Sequence, residues 1–348
     1  MIAVIPPGIL NSKDKFLLGM PQNRRLHFGF KLSSEEFSAN ELVRLARAAE
    51  ERHFEFVLIS DHFHPWSSRQ GQSPFVWSVL GAISHVTSRL SVGTAVTCPT
   101  VRMHPAIVAQ AAATVATMMP GRFFLGVGTG ENLNEHVVAQ HWPEVEIRQE
   151  KLAEAIEIIR LLWKGGLKSH HGKHFVVENA RIYSLPEQEI PIMVAAAGEK
   201  STEMAARLGD GLIGTDPDGE MVQQFRSQGD GNRPCYCEVQ TCFGPDEQRA
   251  IDLAHDTWPI AGLPGPLLQE LPLPSHFEKA GATVPREKIA ENVACGPDPE
   301  RHLRMIGKYI DAGYDHVCIH QIGPMQEQTL DFYARDIFPK ISEWRKAA

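Results

Sequence analysis

The sequence predicts an α/β fold, a TIM (β/α)8 barrel with long insertions at the C-terminal face of its strands. Three observations lead there. Eight short apolar segments recur along the chain, most of them followed by a helical stretch. Several are continuously apolar rather than alternating, as parallel strands buried on both faces must be. The eight units fill about 320 residues, within the ~200 to 400 that such barrels occupy. A doubly wound open sheet is the competing arrangement. It would want G-x-G-x-x-G after the first strand, whereas the closest pattern, Gly126, Gly128 and Gly130, follows the fourth.

Taken in order, His27 to Leu32 (HFGFKL) is the first strand. Ser38 and Glu41 have the spacing of a capping box, so a helix starts there. Leu42, Leu45, Ala46 and Ala49 fall on one of its faces. Phe54 to Ser60 is the second strand. It runs into the polar stretch DHFHPWSSRQGQSP, and a helix begins near Phe75. Arg89 to Thr97 is the third strand, with the helix PAIVAQAAATVATMM behind it. Phe123 to Gly128 is the fourth. A long loop then leads to a helix whose buried stripe is Leu152, Ile156, Ile159 and Trp163. Pro191 to Gly198 is the fifth strand, before a helix from Ser201 to Leu208. Gly211 to Thr215, Cys235 to Phe243 and His316 to Gln321 complete the set. Residues 164–190 and 258–297 exceed ordinary connections, which marks them as functional loops over the mouth.

Composition bounds the function. Of 348 residues 43% are hydrophobic and 22% charged, ordinary for a globular chain with ample core. Thirty-four Lys and Arg against 42 Asp and Glu give a net charge of −8, which argues against a nucleic-acid partner. No run approaches the ~20 apolar residues of a membrane span. The spacing of Cys98, Cys235, Cys237, Cys242, Cys295 and Cys318 fits neither a zinc pattern nor a disulfide framework, so cytoplasmic thiols are expected. Residues 1–25 form an N-terminal extension without the marks of a secretory signal, suited to an arm or lid. A single domain spans 26–348.

In this fold chemistry gathers where the strands end. After the second come Asp61, His62, His64 and Trp66. A histidine beside a carboxylate can serve as a general base near neutral pH; the plainer reading has Asp61 capping a helix and His62 satisfying backbone groups. Thr97, Cys98, Thr100 and Arg102 follow the third strand. After the fourth come Thr129, Gly130, Glu131, Asn134 and Glu135. Glycines there let the backbone approach a flat ligand. Glu131 would be an acid if its pocket were apolar, and otherwise a solvated side chain. Ala197, Gly198, Lys200 and Ser201 open a helix whose N–H groups suit a phosphate. Thr215, Asp216 and Asp218 follow the sixth strand, His320 and Gln321 the eighth. His62 and His64 could instead be the H-x-H pair of a metal-dependent hydrolase. The later strands end in Ala, Gly and Thr, so only His320 could join them, and no metal is expected. Cys235 and Cys237 lie on one strand face as packing.

Together, SDHFHPW, GTGENLNE and the A-x-G-x-K-S region resemble the deazaflavin-dependent members of the luciferase-like superfamily, in particular the F420-dependent glucose-6-phosphate dehydrogenase group. The resemblance implies coenzyme F420 in the barrel mouth, with FMN as the alternative that a monooxygenase of the superfamily would use. Asp61, Cys98, Thr129, Gly130, Asn134, Ala197, Gly198, Lys200 and Ser201 would line the cofactor, and a non-prolyl cis peptide would fall at Ala95–Val96. His62 would be the base that takes the proton of a substrate hydroxyl while hydride passes to C5 of the deazaflavin. Trp66 would stabilise that arrangement, and Glu131 would be the acid at ring N1. A deazaflavin carries hydride but reacts poorly with oxygen, so a dehydrogenase is favoured. A cofactor-binding protein without turnover is the remaining class. Relatives imply a homodimer.

The expected substrate contacts are Thr215 and Lys279, but the phosphate clamp of the group is incomplete. Asp218 stands where a Lys is expected and Asn292 where an Arg is expected. An acid repels a dianion, so the expected substrate is an alcohol or sugar bound without strong dependence on phosphate. Cys98 replaces a Thr and loses a good hydroxyl donor to the cofactor.

Overall fold

The computed structural model describes residues 25–341. Apart from Arg25, the expected N-terminal extension lies outside them. Eight parallel strands close into a barrel: β1 (His27–Leu32), β2 (Phe56–Ile59), β3 (Ser91–Thr94), β4 (Phe123–Val127), β5 (Ile192–Ala195), β6 (Gly211–Gly214), β7 (Cys235–Cys242) and β8 (His316–Gln321). Each pairs with the next, and β8 returns to β1 with His27 beside His316. The strand order follows the chain, as the sequence predicts. Several strands are shorter than expected. β3 ends at Thr94, the Ala95–Val96 peptide is cis, and Thr97 rejoins the sheet only as an isolated bridge to Val127.

The helices form where their signals stand. Glu41 accepts from the Ser38 amide (3.0 Å) and hydroxyl (2.6 Å) at the start of helix Ala39–Glu51. Leu42, Leu45, Ala46 and Ala49 are buried along it. In helix Val145–Trp163, Leu152, Ile156 and Ile159 are buried, while the Trp163 indole donates to the Ala109 carbonyl. Among the described residues no helix is long and apolar enough to cross a membrane.

The barrel interior is layered. Side chains alternate along a strand, and the inward ones fill the centre rather than leave a pore. Phe56, Leu58, Phe124, Met193, Tyr236 and Cys318 belong to an apolar plug. Gly29 makes room for it, because a Cβ there would lie 2.2 Å from the Phe56 ring. Two residues further along the strands the interior turns charged. Lys31 of β1 lies 2.8 Å from Glu238 of β7, and His320 of β8 donates to the same carboxylate at 2.8 Å.

The two long stretches are both structured. Residues 168–180 form an antiparallel hairpin along the outside of helix Val145–Trp163, held by His170 on Glu154 and His174 on Glu150. Residues 258–293 carry short helices over the mouth with a small core of their own, including Trp258, Phe277 and Ile289. This insert is pinned to the loops it covers. Glu278 accepts from the Ser68 amide (2.8 Å), Asn132 donates to the Glu270 carbonyl (3.0 Å), and Phe277 meets Trp66 edge-on at 5.1 Å.

Candidate active site

His62 sits in the loop after β2 and is nearly buried. Its Nδ1 lies 3.1 Å from the His64 carbonyl, which can only accept, so Nδ1 carries the hydrogen. That leaves Nε2 as the basic nitrogen. Nε2 is 3.4 Å from Glu35 Oε1 and 3.4 Å from Glu131 Oε2. The imidazole therefore lies between two carboxyl groups, from the loops after β1 and β4. Trp66 packs against the ring at 5.1 Å between centroids.

The carboxylate expected beside His62 was its neighbour Asp61. Adjacent residues on extended chain point opposite ways, and the Asp61 carboxylate is spent elsewhere. It accepts from Arg102 (2.8 Å) and from the Thr97 hydroxyl (2.8 Å), fully buried. The group that takes its place, Glu35, follows the first strand in Ser-Ser-Glu-Glu, a strand end outside the candidates that the sequence offers. Its signal was a pair of acids at the end of a barrel strand. Ser33 (3.0 Å) and Ser60 (2.8 Å) donate to its second oxygen.

The two carboxyls are tuned in opposite directions. Burial works against ionising Glu35, but the charges of His62 and Lys31 and its hydrogen bonds outweigh it and hold the group below the usual carboxylate range. Burial raises Glu131, the nearby Glu35 adds to the rise, and His62 offsets only part of it. Glu131 thus keeps a proton more readily, and 29% of its side chain is open to the mouth.

Asn134 ties this arrangement together. Its amide donates to Glu131 (2.8 Å), and its carbonyl accepts from the Phe63 (2.9 Å) and His64 (3.1 Å) amides. His64 turns away from His62, donating to the Leu133 carbonyl (2.9 Å) and stacking on His136. Behind it, burial pushes the Glu135 carboxyl up to about 7, against the pull of the Arg102 amide and charge.

Ala95, Val96 and Ala195 rest part-exposed on the apolar plug and give the mouth an apolar floor. Thr129 and Gly130 border it half-buried, while Ala197 and Gly198 border it exposed. Gly130 has φ +81°, and a Cβ there would meet Cys98 Sγ at 2.5 Å. A Cβ on Gly198 would meet nothing within 4 Å, so space is open over that turn. Ser201 accepts from the Ala197 amide (3.2 Å) and donates to the Gly198 carbonyl (2.8 Å), and exposed Lys200 lies 3.3 Å from Glu146. A flat apolar face, small residues at its edge and a helix N-terminus beyond it fit a ring cofactor with a phosphate-bearing tail.

The substrate-side positions are less concentrated. Thr215 is exposed, with its carbonyl accepting from the Tyr309 hydroxyl (2.9 Å). Lys279 is exposed on helix Pro274–Gly281. Asp218 is the N-cap of helix Gly219–Ser227, accepting from the Met221 amide (3.0 Å). Asn292 donates to the Ala261 carbonyl (2.7 Å) within the insert.

Comparison with known proteins agrees with this architecture. Residues 26–316 match the luciferase-like monooxygenase family. An F420-dependent glucose-6-phosphate dehydrogenase of Microbacterium testaceum is 36% identical over 328 residues, covering 91% of this chain and 97% of the relative. One of Mycolicibacterium gilvum is 34% identical, covering 91% and 98%. Among solved structures, an F420-dependent secondary alcohol dehydrogenase in complex with an F420–acetone adduct superposes with a TM-score of 0.85 at 27% identity, covering 91% of this chain and 99% of the other. With that span of matched residues and that closeness to its relatives, the chain belongs to the luciferase-like family.

Proposed function

We propose that the protein is an F420-dependent dehydrogenase that oxidises the carbinol carbon of an alcohol or sugar, reversibly. The relatives' F420 dependence and the fit of the mouth to a flat ring support the cofactor. The observation that carries the chemistry is His62, with Nδ1 committed to a carbonyl and Nε2 set between Glu35 and Glu131. When bound, the deazaflavin supplies a carbon that accepts hydride. Ala95, Val96 and Ala195 would support its face. Thr129, Gly130, Ala197 and Gly198 would border it, with Lys200 and Ser201 toward its phosphate. Asp61, Cys98 and Asn134 act mainly by holding the loops that surround it.

The protein's own groups divide the proton work. His62 Nε2 takes the proton of the substrate hydroxyl. Ionised Glu35 stabilises the imidazolium so formed and fixes the ring. Glu131 holds a proton on its raised carboxyl and donates it where negative charge develops beside it. Trp66 and the insert exclude water from the reacting atoms.

The substrate is neutral or weakly charged. Asp218 is engaged as a helix cap and Asn292 as an internal tie, which leaves Lys279 as the single basic side chain of the expected clamp. Thr215 and Lys279 would line the substrate side. The test is anaerobic reduction of F420 by a panel of alcohols, sugars and sugar phosphates. Turnover with an uncharged donor, altered less than about threefold by Lys279→Ala, is expected. Turnover confined to phosphorylated donors and abolished by that substitution would contradict it. Oxygen consumption with FMN would transfer the protein to monooxygenase chemistry.

A further inference from the structure

We infer that the protein binds a phosphate group, free or carried on a small molecule, in a cavity at the N-terminal end of the barrel, held by the stacked imidazoles of His27 and His316, the Tyr236 hydroxyl and the Arg89 guanidinium. This end lies opposite the mouth, and the inference stands apart from the dehydrogenase reading.

The cavity measures about 450 Å³, within the range of small-molecule sites. It is built where strands begin. His27, Phe56, Ser91 and His316 open β1, β2, β3 and β8, and Tyr236 is second in β7. The apolar plug, which includes Phe56 and Tyr236, separates it from the mouth. Closure of the barrel sets His27 beside His316, so their rings stack with centroids 4.5 Å apart and planes 14° from parallel. Tyr236 continues the stack, 4.3 Å from His316.

The acids around the cavity are already engaged. Glu50 accepts from the amides of Ser88 (2.9 Å), Arg89 (2.6 Å) and Leu90 (2.8 Å). Glu55 accepts from Arg25 (2.7 Å) and lies 2.9 Å from His27 Nδ1. Asp315 accepts from Arg226 (2.7 Å) and the Cys235 amide (2.9 Å), and lies 2.7 Å from His316 Nδ1. The lining groups that have no partner among the described residues are basic or can donate. They are Nε2 of both stacked rings, the His53 imidazole, the Arg89 guanidinium, and the hydroxyls of Tyr236 and Ser91. Tyr236 is 6% exposed, and a buried hydroxyl calls for a partner.

This set of leftover groups selects an anion. Glu50, Glu55 and Asp315 are balanced by Arg25, Arg89 and Arg226, so each imidazole that takes up a proton makes the cavity positive. With Nδ1 on a carboxylate, a protonated ring donates from Nε2, and an oxyanion beside Nε2 favours that form. A phosphate presents three strong acceptor oxygens to such donors, and the guanidinium fork matches it. A metal ion fits poorly. Near-parallel rings send their lone pairs side by side rather than onto one point. Among the described residues no three His, Cys, Asp or Glu side chains are placed to hold a metal ion.

The test is isothermal titration calorimetry of the full chain with inorganic phosphate and with glycerol phosphate, and with glycerol as the uncharged control. Saturable binding of one or both anions at a single site is expected, with none of glycerol. Equal affinities would identify free phosphate as the ligand, and tighter binding of the ester would identify a small organic phosphate. His27→Ala, His316→Ala and Arg89→Ala should each weaken binding at least about tenfold, and Tyr236→Phe about threefold. Binding should also weaken as pH rises from 6 to 8.5, as the imidazoles lose their protons. Arg89 is exposed, so its variant keeps the test decisive if a histidine variant does not fold. Lys200→Ala and Lys279→Ala, at the mouth, should leave binding unchanged. No saturable binding of either anion, or binding indifferent to the Arg89 and histidine variants, would overturn the inference. So would loss of binding in Lys200→Ala or Lys279→Ala, which would assign the anion to the mouth. Failure of F420 to bind would overturn the dehydrogenase reading and leave this site standing.

Discussion

His62 owes its chemistry to groups far from it in the chain. The sequence identifies the histidine by its strand-end position and the residues around it, and it identifies Glu131 as the second group. It cannot identify Glu35 as the partner, because that depends on how β1 and β2 stand beside each other. Asp61, adjacent in sequence, is drawn away by Arg102 and Thr97. His62→Ala is expected to keep cofactor affinity and lose turnover by roughly 10² to 10⁴, the usual worth of general-base catalysis. Binding titration and steady-state kinetics on the same preparation check this. Glu131→Gln retains a carbonyl for Asn134 but has no proton to give. Its kcat should fall at least about tenfold with KM little changed, and a change in KM alone would make Glu131 a binding residue.

At the scale of elements, the strands and capped helices were legible because their signals are local. The apolar runs, the Ser38–Glu41 box and the stripe of helix Val145–Trp163 all stand in the structure. The interior charged layer is less legible, although Lys31 and Glu238 each interrupt a strand that is otherwise largely apolar. A charge inside such a run is a signal that something opposite meets it, but the partner strand follows only from closure of the barrel. Asp218 has a similar history. Its identity suggests repulsion of a phosphate, and its position makes it the cap of helix Gly219–Ser227. Asp218→Ala should therefore cost about 1 kcal/mol of stability, seen as a lower Tm or urea midpoint. Its kcat/KM for an uncharged donor should stay the same. Loss of activity without loss of stability would place Asp218 in the substrate site instead.

Across the whole molecule, the buried charges link folding to pH. His320 is raised from 6.5 to about 9 in the folded protein, where its charge is needed by Glu238. Its contribution is therefore full below about 6.5 and lost as pH rises through about 9, on the order of 3 kcal/mol in total. Urea unfolding between pH 6 and 9.5 should show that decline, and His320→Gln should flatten it. A wild-type protein equally stable at both ends would mean that His320 is not charged in the barrel.

The same barrel brings the apolar floor, the His62 pair of carboxyls and the covering insert to one mouth, and the cofactor identity decides what they do. The most direct measurement is a fluorescence titration of the purified protein with F420 and, separately, with FMN, followed by anaerobic mixing with an alcohol or sugar donor. Saturable binding of F420 in preference to FMN, with loss of the oxidised-cofactor absorbance on adding donor, is the outcome expected here. Preferential binding of FMN with oxygen uptake, or F420 binding with no reduction by any donor even with His62 intact, would contradict it.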